Sequence, residues 1–339
     1  MPILVTGGAG YIGSHMVACL RDAGREVVVV DDLSTGHADA IPADVPFIEA
    51  DVGDPGAMRD LLQTQKIDAI IHFAAKSQVG ESVVDPRVYW RGNVLATTQL
   101  LECALDAGVK RFILSSTAAV YGNPSRVPIP ELAPTDPINP YGETKLAIER
   151  MLQSYARAYD FRFCALRYFN AAGADAARGL GERHDPETHL IPLVLDAALG
   201  LRPDVTVFGR DYDTPDGTCI RDYIHVVDLA AAHLAALDYL AAGGEGGAFN
   251  LGTGEGHSVA EVIATCERVT GLAIPVLTGQ RRPGDPASLV ASPHRAQEEL
   301  GWRATRSDLA RIVEDAWAAR RPMQRTNAPS AHRGGELES

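Results

Sequence analysis

The chain has 339 residues, 46% hydrophobic and 22% charged, and its 31 basic against 44 acidic side chains give a formal net charge of −13. That length supports about two domains of roughly 150 residues with a substantial core, and the composition excludes a disordered or fibrous chain. An acidic balance lacks the clustered Lys and Arg that a phosphate-backbone interface needs, so no nucleic-acid partner is expected and any anionic ligand must be held by local donors.

The first residues run straight into an apolar segment, Ile3–Val5, with no basic lead-in, and no later apolar run reaches about 18 residues. Neither a signal peptide nor a membrane partner is expected, and the cytoplasm is the default address. Cys19, Cys103, Cys164, Cys219 and Cys266 are widely spaced and form no Cys-x-x-Cys pair. They read as reduced, mostly buried hydrophobes, and no metal ligand set is expected.

Up to about residue 169, short β-branched runs at Ile3–Val5, Val27–Val30, Phe47–Glu49, Ala69–Phe73 and Phe112–Leu114 alternate with helical spacing. In the first helical segment Ile12, Met16, Cys19, Leu20 and Ala23 share one face, and Gly24 suits the C′ position. Such alternation predicts an α/β chain with a parallel sheet covered on both faces.

The turn after the first strand, Thr6-Gly7-Gly8-Ala9-Gly10-Tyr11-Ile12-Gly13, reads both as Gly-x-Gly-x-x-Gly and as Gly-x-x-Gly-x-x-Gly. A strand turning sharply into a helix leaves that helix's first N–H groups unpaired, and residues without side chains let a pyrophosphate approach them. Asp31, 18 residues beyond Gly13, closes the next strand. A carboxylate there accepts from a ribose 2′-hydroxyl and repels a 2′-phosphate, which favours NAD over NADP. The fold expected is therefore a Rossmann-type doubly wound sheet. Asp51, after the third strand, is placed either to meet an adenine or simply to start a helix.

Tyr141-Gly142-Glu143-Thr144-Lys145 opens a helix reaching about Tyr159, in which residues 141, 145, 148, 152 and 155 share a face. Lys145 thus sits on the apolar stripe, where a lysine needs a partner or a task. A tyrosine with a pKa near ~10 is a poor base at neutral pH, but an ammonium and a cationic nicotinamide ring beside it stabilise phenolate. Thr117, at the C-terminal end of a strand, offers the hydroxyl that would orient a reacting oxygen.

From about residue 170 the regularity gives way to Gly- and Pro-rich loops at 171–181, 208–218 and 281–286 with shorter helices such as Ile191–Leu199. Residues 170–321 are read as a smaller α/β substrate-binding domain after a dinucleotide-binding domain at 1–169. Part of 218–252 is read as packing back on the first domain, and 322–339 as a flexible tail.

The chain resembles the extended short-chain dehydrogenase/reductase family, and within it the members that epimerise UDP-hexoses at C4. The resemblance rests on residues 5–15, Val-Gly-Glu-Ser at 79–82, Ser-Ser-Thr-Ala-Ala-Val-Tyr-Gly at 115–122 and Pro-Tyr-Gly-Glu-Thr-Lys at 140–145. It continues with Arg-Tyr-Phe-Asn-Ala-Ala-Gly at 167–173, residues 216–226 and Arg-Arg-Pro-Gly-Asp at 281–285. It implies that Tyr141 removes the proton from the sugar 4-hydroxyl, that Lys145 tunes it and binds the nicotinamide ribose, and that Thr117 bonds the 4-oxygen. Gly7, Gly10, Tyr11, Ile12, Gly13, Asp31, Asp51, Val52, Phe73, Ala74, Asn93 and Tyr168 would join Tyr141 and Lys145 around NAD. Asn170, Leu190, Phe208, Arg221, Arg282 and Asp285 would hold the UDP-sugar, with the two arginines on its phosphates.

Two departures matter: Lys76 stands one residue before a lysine that some relatives place beside the dinucleotide, and His189 stands where some have asparagine. Ser288 matches a position that is tyrosine in relatives restricted to unacetylated sugars, so an N-acetylated UDP-hexose is expected to fit as well. By resemblance a homodimer is expected, built through the 87–107 and 144–159 segments. Rival readings are a sugar-nucleotide dehydratase, which needs a carboxylate where Ala118 and Ala119 stand, a uronate epimerase, and a non-catalytic NAD-bound sensor.

Overall fold

A computed structural model describes residues 1–282 and 285–327. The chain begins β1 (Ile3–Thr6), α1 (Tyr11–Asp22), β2 (Val27–Asp31), β3 (Phe47–Glu49), α2 (Pro55–Gln65) and β4 (Ala69–His72). Next come α3 (Val79–Val84), α4 (Pro86–Tyr89), a π-helical stretch at Trp90–Leu95, α5 (Ala96–Asp106), β5 (Arg111–Thr117), α6 (Pro140–Ala158) and β6 (Arg162–Tyr168). The remainder is β7 (Asn170–Ala172), α7 (Leu190–Ala198), β8 (Val205–Phe208), β9 (Ile220–Arg221), β10 (Tyr223–His225), α8 (Val226–Ala241) and β11 (Gly247–Leu251), then β12 (His257–Ser258), α9 (Val259–Thr270), β13 (Val276–Gly279), β14 (Ser288–Leu289), α10 (His294–Glu299) and α11 (Leu309–Asn327).

Local chemistry sets the ends of these helices. Gly24 takes φ +68° just past α1, as a C′ glycine should. Asp54 caps α2 by accepting from the Gly56 and Ala57 N–H groups, and Pro55 fills the position where a missing N–H costs nothing. Asn139 and Pro140 repeat the device at α6, and Ser258 with Glu261 forms a reciprocal capping box on α9.

Seven parallel strands in the order β11-β6-β5-β4-β1-β2-β3 form the central sheet. Successive residues of its strands alternate between two apolar layers. Ile3, Val5, Val27 and Val29 pack with Met16 and Leu20 of α1 and with Leu229 and Leu237 of α8. Leu4, Val28 and Val30 pack with Leu62 of α2, Leu100 of α5 and Leu152 of α6. Burial on both faces explains why these strands read as unbroken β-branched runs. A separate cluster joins α7, α9 and α11 through Ile191, Val194, Val262, Cys266, Ile312 and Val313.

Beyond residue 170 the helices are longer than the loop-rich sequence suggests, with 16 residues in α8 and 19 in α11. α8 lies on α1, and β11 adds to β6, so both belong to the sheet's layers. The helix α11 continues to Asn327, six residues into the tail expected from residue 322. Its apolar spacing at Leu309, Ile312, Val313 and Ala316 fades near Arg320, so helix spacing stopped marking it before the helix stopped. Residues 328–339 of that expected tail lie outside the described residues. No helix among the described residues is long and apolar enough to cross a membrane.

Candidate active site

Two glycines of the first turn leave no room for a side chain. Gly7 has φ +68°, and a Cβ there would sit 2.5 Å from the Ala74 backbone nitrogen; one on Gly13 would sit 2.1 Å from the Gly7 oxygen. Gly10, the N-cap of α1, brings no side chain to the helix start, so its first N–H groups and positive end face outward for an anion. Tyr11 turns away to donate its hydroxyl to the Gly173 oxygen at 2.7 Å, and Ile12 packs into the core, so both can meet a ligand through their backbone.

At the end of β2, Asp31 accepts from the Ala9 and Leu33 N–H groups at 2.9 Å, one on each carboxylate oxygen, leaving further lone pairs for hydroxyls. Burial pushes its carboxyl above the usual range, and those two hydrogen bonds oppose the shift. Asp51 is exposed and accepts from the Gly53 N–H at 2.7 Å, while Val52 is buried in the core. Phe73 and Ala74 follow β4 against Gly7, with the Phe73 ring 4.7 Å from that of His233. This set suits a dinucleotide: backbone too tight for side chains, an open helix start, and a carboxylate at the second strand's end.

Asn93, expected beside the dinucleotide, is fully buried. Its amide donates to the Lys76 oxygen at 3.0 Å and the Thr144 hydroxyl at 3.1 Å and accepts from the Lys76 N–H at 2.8 Å. With both N–H bonds used inside the protein, it fastens the loop after β4 to α6.

Thr117 ends β5, and α6 presents Tyr141 in its first turn and Lys145 one turn later. Burial pushes the Tyr141 phenol up to about 12, with a hydrogen bond to Thr117 acting in the opposite sense. The Lys145 ammonium is 2% exposed and donates to the Ser115 oxygen at 2.8 Å. Burial lowers its pKa to about 8, opposed by Glu149. The sequence led us to expect a phenol tuned downward; within the protein alone desolvation wins, because the ammonium points at a carbonyl. Tyr89 stands edge-on to the Tyr141 ring at 6.5 Å, and the Tyr168 hydroxyl pairs with that of Ser115.

The residues expected around a UDP-sugar gather on short strands. β9 pairs with β14, setting Ser288 opposite Ile220 and next to Arg221. Arg221 donates to Asp285, and the Arg282 guanidinium lies 4.1 Å over the Phe208 ring. The backbone N–H of Asn170 donates to the Asp222 oxygen at 3.0 Å, and Leu190 opens α7. Leu289 packs on Val120, Tyr121 and Leu146, which brings the β9–β14 pair beside α6. His189 lies in a cluster with Glu182 and Glu187.

Behind the tyrosine and lysine is a buried ion pair that the sequence reading missed. Glu149 accepts from Arg167 Nε at 3.0 Å, from Arg167 Nη2 at 2.5 Å and from the Ser116 hydroxyl at 2.5 Å. Arg167 also donates to the Tyr121 hydroxyl at 2.8 Å. The available signal was spacing, since Glu149 lies one further turn along from Lys145.

Residues 3–252 match the model of the NAD dependent epimerase/dehydratase family. The chain is 53% identical to the UDP-glucose 4-epimerase of Halalkalibacterium halodurans, over 94% of this chain and 95% of that one. The crystal structure of UDP-glucose 4-epimerase from Brucella ovis in complex with NAD superposes with a TM-score of 0.91 at 49% identity, covering 93% of this chain and 97% of that one. The UDP-glucose-4-epimerase from Stenotrophomonas maltophila, with bound NAD and formylated UDP-arabinopyranose, gives 0.93 at 43% identity, covering 96% and 99%.

Proposed function

Because the chain belongs to the NAD dependent epimerase/dehydratase family, we propose that it is a UDP-hexose 4-epimerase that interconverts UDP-galactose and UDP-glucose with tightly held NAD. The observation that carries this reading is buried Thr117 and Lys145 with half-buried Tyr141 beside a glycine turn that fits a dinucleotide. Thr117 orients the sugar 4-oxygen, and Tyr141 takes the 4-hydroxyl proton and later returns it. A phenol held near 12 needs positive charge close by to do so, and Lys145 supplies one such charge from within the fold. When bound, NAD supplies the hydride acceptor at C4 and the donor for its return to the opposite face. The sugar is a 4-ketone between the two transfers, and the site must let it turn over.

Arg221 and Arg282 hold the diphosphate, with Phe208, Asn170, Leu190 and Asp285 around the nucleotide and sugar. Ser288 leaves space for an acetamido group, which extends the substrates to N-acetylated UDP-hexoses. Elimination is disfavoured because Ala118 and Ala119 follow Thr117 where a dehydratase needs a carboxylate. The working form is a homodimer: Val88, Trp90, Leu95 and Tyr159 are large apolar side chains exposed on the segments expected to pair, which sedimentation can check. Five free thiols suit a cytoplasmic address.

Activity decides the matter. Purified chain without added cofactor converts UDP-galactose to UDP-glucose, and Tyr141→Phe loses about 10²-fold or more of that rate while keeping its NAD. Wild-type protein that holds NAD and turns nothing over would favour the sensor reading instead.

A further inference from the structure

Apart from the catalytic set, the segment leading into α7 carries an unassigned cluster of metal-ligating side chains. We propose that Glu182, His184 and His189 bind one divalent transition-metal ion of the zinc type, with Glu187 orienting His189. Each of the three offers a ligand atom, and these atoms all lie within 4.8 Å of one another. At zinc–nitrogen distances of about 2.0–2.1 Å, tetrahedral ligand atoms stand roughly 3.3 Å apart, so modest side-chain rotation closes the set.

Unspent polar atoms point to a ligand here. The buried His184 Nδ1 faces the Glu182 carboxylate at 2.6 Å, a pair that can share one proton. A cation that replaces that proton would take both atoms as ligands once they move apart to about 3.3 Å. One Glu182 oxygen already accepts from the Arg183 and His184 N–H groups, and the other lies 3.6 Å from His189 Nδ1. Glu187, whose side chain is 7% exposed, accepts from His189 Nδ1 at 2.9 Å and has its second oxygen buried without a hydrogen bond. A carboxylate fixing one ring nitrogen so that the other can ligate is the usual support of a metal-bound histidine.

Charge agrees with geometry. The Glu187 and Asp196 carboxylates and the Glu182 backbone oxygen share the guanidinium of Arg320, which is already engaged by Asp196 at 2.6 Å. Two imidazoles with a carboxylate select zinc, cobalt or nickel over magnesium or calcium. Half-exposed His189 leaves one side of the site to water, which would complete a tetrahedron. Glu182, His189 and Arg320 line the same cavity as Tyr11 and Gly173. An ion here therefore ties the 182–189 segment between α1 and α11.

The test uses tag-free, NAD-retaining full chain, stripped with a chelator and desalted after incubation with Zn²⁺ or Co²⁺. We expect one zinc per chain by elemental analysis, visible d–d bands for cobalt, and a higher unfolding temperature with metal than without. His184→Ala, His189→Ala and Glu182→Gln should each lose the stoichiometric metal and the temperature shift. His294→Ala, which removes an exposed histidine paired with Glu298, should keep both. If an alanine variant fails to fold, the cobalt spectrum of Glu182→Gln decides. Wild-type chain that retains no zinc, or zinc retained equally by the cluster variants and by His294→Ala, would overturn the proposal.

Discussion

Replacing Lys145 by methionine separates what this side chain costs the fold from what it does for the chemistry. Burial lowers its pKa from 10.5 to about 8, with Glu149 opposing. Between those values the unfolded chain binds more protons than the folded one, so stability rises with pH across that window. At about 1.36 kcal/mol per pKa unit, the buried ammonium costs the fold about 3 kcal/mol below pH ~8, and nothing once pH passes the unfolded value. Methionine keeps the shape and removes this cost. It also leaves the Ser115 oxygen without its 2.8 Å donor, an opposing loss of about 1–3 kcal/mol that does not vary with pH. Urea unfolding of cofactor-free wild type and Lys145→Met from neutral pH to pH ~10.5 reads the difference directly. The variant's stability relative to wild type should fall by about 3 kcal/mol across the window, while its epimerase rate is lower by about 10²-fold or more. A stability difference that stays flat with pH would refute the burial argument, and wild-type turnover by the variant would refute the role in catalysis.

Glu149→Gln leaves the Arg167 guanidinium buried without its counter-charge, a loss of about 3–5 kcal/mol visible as a lower urea midpoint. The same change removes the influence that raises the Lys145 pKa, so the alkaline limb of the kcat–pH profile should move to lower pH. Gly13→Ala drives a Cβ to within 2.1 Å of the Gly7 oxygen, and the purified variant should carry little NAD when the cofactor is released by heat and measured. Ser288→Tyr should lose turnover of UDP-N-acetylglucosamine while keeping that of UDP-galactose; equal rates on both sugars would remove the specificity argument.

Much of the sheet was legible because its strands are buried on both faces. Val27–Val30 and Ala69–His72 could hardly be anything else, and the glycine turn announced its own conformation. Other parts depend on partners far away in sequence. β9 and β14 have two residues each and exist only through pairing with each other and, for β9, with β12, so no periodicity marks them. The Asn93 amide is used by Lys76 and Thr144, a pairing that spacing cannot reveal. Thr117, Tyr141 and Lys145 could be read as a set from strand-end and helix-turn positions, whereas the state of the phenol depends on burial, which only three dimensions supply.

The position of β11 at the edge of the sheet bears on how the chain can be made. A nascent chain that has emerged only through β6 displays the full hydrogen-bonding edge of Arg162–Tyr168, including five residues that later pair with Gly247–Leu251. α8, which packs on α1, β5 and β6, arrives just before that strand. The nucleotide-binding half therefore cannot close until nearly three quarters of the polypeptide has been synthesised. Until then it offers an open β-edge and an uncovered apolar layer to any neighbour, including another unfinished copy of itself.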